Sequence, residues 1–146
     1  MNNELKETFI ILDGINIQPL INMNNSLKEV LNRSEDTKGE LYIIYQMAAV
    51  QAFEISYELC WKICKKVLHS VAIVANHSKD SFREAAKIGL IDNPELWFDF
   101  LKKRNETVHA YDSNILEEIF DILPTFVEEL RKLIENLKIF DKKNNQ

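Results

Sequence analysis

Glycine and proline are scarce in this 146-residue chain, at three of each. The turns of a many-stranded sheet draw heavily on both, so a fold of many short strands is disfavoured and a few long helices are expected. Cysteine is nearly as rare. Cys60 and Cys64 are too few for a secreted disulfide scaffold, and their four-residue spacing on a predicted helix suits stacking better than disulfide closure. Together with His69 they make no convincing set of metal ligands and read as core packing, so no metal and no cofactor are expected. No apolar run approaches the roughly 18 residues a spanning helix needs. The first residues, Met1 to Glu7, are polar and lack a signal-peptide pattern. The expectation is a cytoplasmic protein with no membrane contact. Positive charge is also in deficit: the formal net charge is −5, which argues against a basic coat for non-specific nucleic-acid binding but leaves room for a local basic patch.

Apolar residues make up 46% of the chain and charged residues 28%, ordinary values for one globular domain with a sizeable core. Leu5, Phe9, Ile10 and Leu12 suggest a short helix that Asp13-Gly14 breaks, so residues 1–18 are read as an N-terminal extension. Pro19 suits a first helical position, and Leu20, Met23, Leu27 and Val30/Leu31 follow at helical spacing to Asn32. The longest predicted helix runs from Glu40 to His69. One face carries Phe53, Tyr57, Cys60, Trp61, Cys64, Val67 and Leu68; the opposite polar stripe carries Gln51, Glu54, Glu58, Lys62 and Lys65, flanked by Ile55 and Leu59. A short helix from Ser81 to Ile88 ends at Gly89 as its C′ residue. Asn93-Pro94 reads as N-cap and first residue of a fourth helix, with Leu96, Trp97, Phe100, Leu101 and Val108 on its buried side. The last helix starts near Asp112 to Asn114, is expected to kink at Pro124, and ends at Phe140 before a frayed tail, 141–146. These features predict an all-α fold, an antiparallel four-helix bundle over 19–140 with one additional short helix.

The densest group of candidate functional side chains is Lys102-Lys103-Arg104-Asn105-Glu106-Thr107-Val108-His109-Ala110-Tyr111-Asp112. In a continuous helix Asn105 and His109 share a face, whereas Arg104 and His109 lie about 140° apart around the axis. Aiming both at one atom requires either that the helix unwind before His109 or that a second copy of the chain bring its own pair alongside in a two-fold dimer. Such a cleft suits phosphodiester chemistry. Histidine titrates near neutrality and can take the proton of a ribose 2′-hydroxyl or supply one to a leaving group. Arginine stays cationic, and its planar fork matches phosphate oxygens.

Gln51-Ala-Phe-Glu-Ile-Ser-Tyr-Glu-Leu-Cys-Trp-Lys62, Ser81-Phe-Arg-Glu-Ala-Ala-Lys-Ile-Gly-Leu-Ile-Asp92, Trp97 and Arg104-Asn-Glu-Thr-Val-His-Ala-Tyr-Asp112, in that order, resemble the nucleotidyltransferase substrate-binding protein family of the HEPN (higher eukaryotes and prokaryotes nucleotide-binding) superfamily. The resemblance runs from Pro19 to Leu137. It implies a four-helix bundle that forms a homodimer and pairs with a minimal nucleotidyltransferase. Two functions are implied for such bundles. One is a metal-independent endoribonuclease toxin acting on RNA, with the nucleotidyltransferase as antitoxin. The other is a non-catalytic subunit that binds a nucleotide or other substrate for that enzyme, with Trp61, Trp97 or Tyr111 stacking on a base. The ribonuclease motif falls on Arg104, Asn105 and His109, with His109 as general acid or base and Asn105 as its partner or a phosphate ligand. Tyr111 matches the tyrosine that the antitoxin adenylylates. Lys102, Lys103, Lys62, Lys65 and Lys66 are the candidates for binding RNA or nucleotide. The sequence departs from the family pattern at Ala52, where an arginine often stands before the phenylalanine.

Overall fold

The computed structural model describes residues 8–144, and their elements follow from the apolar spacing of the sequence. Helix α1 (Gln18–Ser34) buries Leu20, Asn24 and Leu27, a row at intervals of three and four that faces inward. Helix α2 (Gly39–Ser70) is the central element. The short loop between α1 and α2 leaves them antiparallel. Helix α3 (Ser78–Lys87) is the additional short one, α4 (Pro94–Glu106) carries the first part of the candidate motif, and α5 (Ser113–Asn144) closes the bundle against α1, α2 and α4. The expected all-α bundle is what forms. Among the described residues no helix is long and apolar enough to cross a membrane.

Aromatic rings fill the centre. Phe126 of α5 meets Phe53 of α2 edge-on at 4.8 Å and Phe100 of α4 at 5.1 Å, and Trp97 stacks on Phe82 at 4.7 Å. This cluster ties α2, α3, α4 and α5 together and fixes where α4 lies against α2. Trp97 is fully buried, so it is unavailable to a nucleobase. Cys60 and Cys64 are buried free thiols, and burial pushes the Cys64 thiol up to about 12 and that of Cys60 well above its ordinary value. They pack as small apolar groups.

Helix ends show which local signals held. Asn93 caps α4, its side chain accepting from the Glu95 amide at 3.1 Å. Gly89, at φ 84°, ends α3 as expected: the Leu90 amide donates to the Ala85 carbonyl and the Gly89 amide to the Ala86 carbonyl, the paired bonds of a left-handed helix terminus. Helix α2 ends with the same two bonds, Ile73 to Leu68 and Ala72 to His69, but with alanine at φ 62°. Helix α3 starts at Ser78, three residues before the expected Ser81, and its cap is His77, whose Nδ1 accepts from the Asp80 amide at 3.5 Å.

Three expectations are corrected. Residues 9–11 are not helical: β1 (Ile10–Ile11) pairs antiparallel with β2 (Ile15–Asn16) in a small hairpin, joined by a single 3-10 turn, Leu12–Gly14. Asp13 and Gly14, both at positive φ, turn the chain back instead of ending a helix; Leu5 lies outside the described residues. Second, α5 continues past Phe140 to Asn144, and the Asp141 carboxylate accepts from the Leu12 amide at 2.8 Å, tying the hairpin to the end of the bundle. Third, Val108 is 68% exposed rather than buried, for a reason that lies in the candidate site.

Candidate functional site at the end of the fourth helix

After Glu106 the chain leaves α-helical geometry for a 3-10 turn, Thr107–His109. A 3-10 turn advances about 120° per residue rather than 100°, so the positions beyond Glu106 rotate away from the faces a continuous helix would give them. Val108 turns to solvent, and His109 leaves the side that Asn105 occupies. Thr107 is the one buried residue of the turn. Its hydroxyl donates to the Arg104 carbonyl at 2.7 Å and accepts from the Arg104 Nη1 at 3.4 Å, joining the helix end to the arginine.

Arg104 does not stand free. It leans on α2 between Glu54 and Glu58, with Nη1 4.0 Å from a Glu54 oxygen and Nε 3.6 Å from a Glu58 oxygen. Two carboxylates one turn apart on one helix repel when alone; here a cation from α4 sits between them. Both contacts exceed hydrogen-bond length, and Nε is buried with no hydrogen-bond partner. The guanidinium is therefore charge-compensated, but its Nε donor is unspent.

His109 is exposed and has Tyr111 as its partner, with Nδ1 3.4 Å from the phenol oxygen and the rings edge-on at 6.0 Å. Asn105 is also exposed, and the expected Asn105–His109 pairing is replaced by the histidine–tyrosine one. Tyr111 is 86% exposed. Lys102 is exposed. Lys103 is engaged by Glu106 at 3.3 Å and by Glu118 at 3.7 Å, which removes much of its value as a free cation. Lys62, Lys65 and Lys66 lie along the C-terminal half of α2 and are exposed. Ala52, at the departure from the family pattern, is buried.

A cleft of about 670 Å³ separates the N-terminal half of α2 from this turn; Gln46, Met47, Glu54, Thr107 and Tyr111 are among its walls. Beside it Leu41, Ile44, Met47 and Ile55 leave apolar surface exposed along one side of α2, continuous with the flank that holds Arg104. Single exposed apolar residues are ordinary, but a row along one helix face marks a contact surface. Glu54, Glu58 and Thr107 are the site residues that sequence reasoning missed. The acidic pair was legible as a stripe, but its cation lies on another helix.

The fold and this motif define a helical bundle with an arginine–histidine–tyrosine motif at the end of its fourth helix. The chain belongs to the nucleotidyltransferase substrate binding protein like family, whose profile matches residues 15–139. It is 34% identical over 95 residues to the probable ribonuclease HepT of Haemophilus influenzae, a match covering 62% of this chain and 65%, just under two thirds, of that protein. Its fold matches that of HI0074 of Haemophilus influenzae, described as a substrate binding domain of a nucleotidyltransferase, with a TM-score of 0.79 and 28% identity over 84% of this chain and 99% of that one. A protein of Thermus thermophilus shares the fold at a TM-score of 0.72 and 23% identity, covering 81% and 98% of the two chains.

Proposed function

We propose that this chain is a metal-independent endoribonuclease, the toxin of a pair whose antitoxin is a minimal nucleotidyltransferase, and that it works as a homodimer. The observation that carries the reading is the disposition of the motif. Arg104 lines a shallow depression with Glu54 and Glu58 that adjoins the cleft at Gln51 and Glu54, and His109 stands exposed beyond the 3-10 turn, beside an apolar row suited to a second copy. Across a two-fold axis each chain's arginine meets its partner's histidine, so two arginines and two histidines surround one phosphodiester. One imidazole takes the proton of the ribose 2′-hydroxyl as its oxygen bonds to phosphorus. Water gives a proton to the 5′-oxygen as the phosphorus–oxygen bond breaks, leaving a 2′,3′-cyclic phosphate and a 5′-hydroxyl. Arg104 offsets the charge that builds on the phosphoryl oxygens, and Asn105 binds phosphate. Tyr111, in contact with His109, is the point at which the antitoxin silences the enzyme, because an adenylyl group on its oxygen covers the imidazole.

The direct test incubates the purified chain with RNA in the presence of a chelator. Wild type cuts, and His109→Ala loses a factor of about 10² to 10⁴ in rate; equal rates overturn the reading. A second reading, a non-catalytic subunit presenting a nucleotide to the partner enzyme, is favoured by the two carboxylates that already compensate Arg104. Nucleotide binding and co-purification with the nucleotidyltransferase, without cleavage, decide for it.

A further inference from the structure

The polar stripe of α2 is divided by charge. Its N-terminal part, Glu54 and Glu58, faces Arg104, and the residues that follow at helical spacing are Lys62, Lys65, Lys66 and His69. These four line a wide groove of about 1290 Å³ between the C-terminal half of α2 and the N-terminal hairpin. Asp13, at the hairpin tip, is the one carboxylate among the described residues that line the groove. Among the described residues Lys65 and Lys66 have no ion-pair partner, and Lys62 has only a loose one, Glu58 at 4.0 Å.

Trp61 gives the groove a flat aromatic wall. The Glu58 carboxylate holds the indole by accepting from its Nε1 at 3.0 Å, and the Lys62 ammonium lies 5.9 Å from the ring centre, within range of a cation–π contact. Glu58 thus links Trp61, Lys62 and Arg104. The groove is also continuous with the candidate site: a smaller depression lined by Glu54, Glu58, Leu59, Lys62 and Arg104 shares Leu59 and Lys62 with it. A row of unpaired or loosely paired cations beside an aromatic face, leading away from the arginine of the motif, is the arrangement that holds single-stranded nucleic acid. The charges track the backbone and the ring stacks a base without reading its identity.

We propose that this groove holds the single-stranded RNA flanking the scissile phosphate, with Lys65 and Lys66 on backbone phosphates and one base against Trp61. The inference rests on the ribonuclease reading for its substrate but is tested by binding rather than turnover.

The probe is a labelled, unstructured RNA of about 12 nucleotides, titrated into the full-length His109→Ala chain. Adding Lys65→Glu and Lys66→Glu, both at exposed positions, is expected to weaken binding at least tenfold at low salt. It also flattens the logarithmic salt dependence by about 1.4, the share of two phosphates. RNA changes the tryptophan emission, and Trp61→Phe abolishes that change, because Trp97 is sealed in the core. Unaltered affinity and salt slope in the charge-reversed chain overturn the proposal, as does loss only of binding to the nucleotidyltransferase. If wild type cuts RNA while the Lys65/Lys66 variant cuts and binds equally well, the groove fails and the ribonuclease reading stands. If nothing is cut but the charge reversal removes binding, the groove stands and the ribonuclease reading fails.

Discussion

Tyr111 and His109 are in contact, and we propose that they work as a switch. The phenol is almost wholly in solvent and touches the imidazole at 3.4 Å, so a modifying enzyme reaches it without unfolding anything, and the product sits on the proposed acid–base group. When the phenol attacks the α-phosphate of a nucleoside triphosphate, pyrophosphate leaves and a nucleotidyl group remains on the oxygen. Co-expression with the partner nucleotidyltransferase is expected to add an adenylyl mass to the wild-type chain and not to Tyr111→Phe. Persistence of the increment in the variant refutes the assignment. Tyr111 was identifiable from the motif alone. Its contact with His109 was not, because continuous helical spacing paired the histidine with Asn105. The 3-10 turn at Thr107 made the difference, and a single buried threonine in a polar stretch is a faint sequence signal for it.

Among the helices, α2 sets the geometry. Its apolar face holds the aromatic cluster, its acidic turn holds Arg104, and its basic turn lines the outer groove. Periodicity revealed the number of bundle helices and their inward faces because burial imposes the 3.6-residue repeat. It was silent on the docking of Arg104 between Glu54 and Glu58, since that depends on how α4 packs across α2. Helix ends were legible where the residue type is specific: Asn93-Pro94 and Gly89 mark real boundaries. The end of α2 shows the converse, with Ala72 in a left-handed conformation that a Cβ disfavours by roughly 1–2 kcal/mol. Ala72→Gly should therefore stabilise the fold by roughly 0.5–1 kcal/mol once glycine's greater unfolded-state entropy is counted. Urea denaturation of the two proteins measures this, and a destabilised glycine variant contradicts it.

Over the whole molecule, three buried acids make stability depend on alkaline pH. Burial raises the Tyr57 phenol and the Cys64 thiol to about 12, from ordinary values of 10 and 9, and holds the Cys60 thiol well above its ordinary value. The unfolded chain releases these protons near the ordinary values, while the folded chain keeps them. Stability is therefore whole below about pH 8 and falls as pH rises from about 9 toward 12, by about 1.4 kcal/mol per pH unit for each group ionised only in the unfolded state. Urea midpoints at about pH 8 and about pH 10.5 should show the decline, and Tyr57→Phe should reduce it; a flat profile contradicts it.

The exposed apolar row of α2 and the divergence of Arg104 from His109 both point to a site completed by a second copy. Mixed dimers test this most directly. Arg104→Ala and His109→Ala chains, each inactive alone, are unfolded together and refolded, so that about half of the dimers contain one of each. A site shared across the two-fold axis has one intact arginine–histidine pair in every mixed dimer, so RNA cleavage returns to a substantial fraction of the wild-type rate. A refolded mixture as inactive as either variant alone, with refolded wild type active, contradicts the shared site.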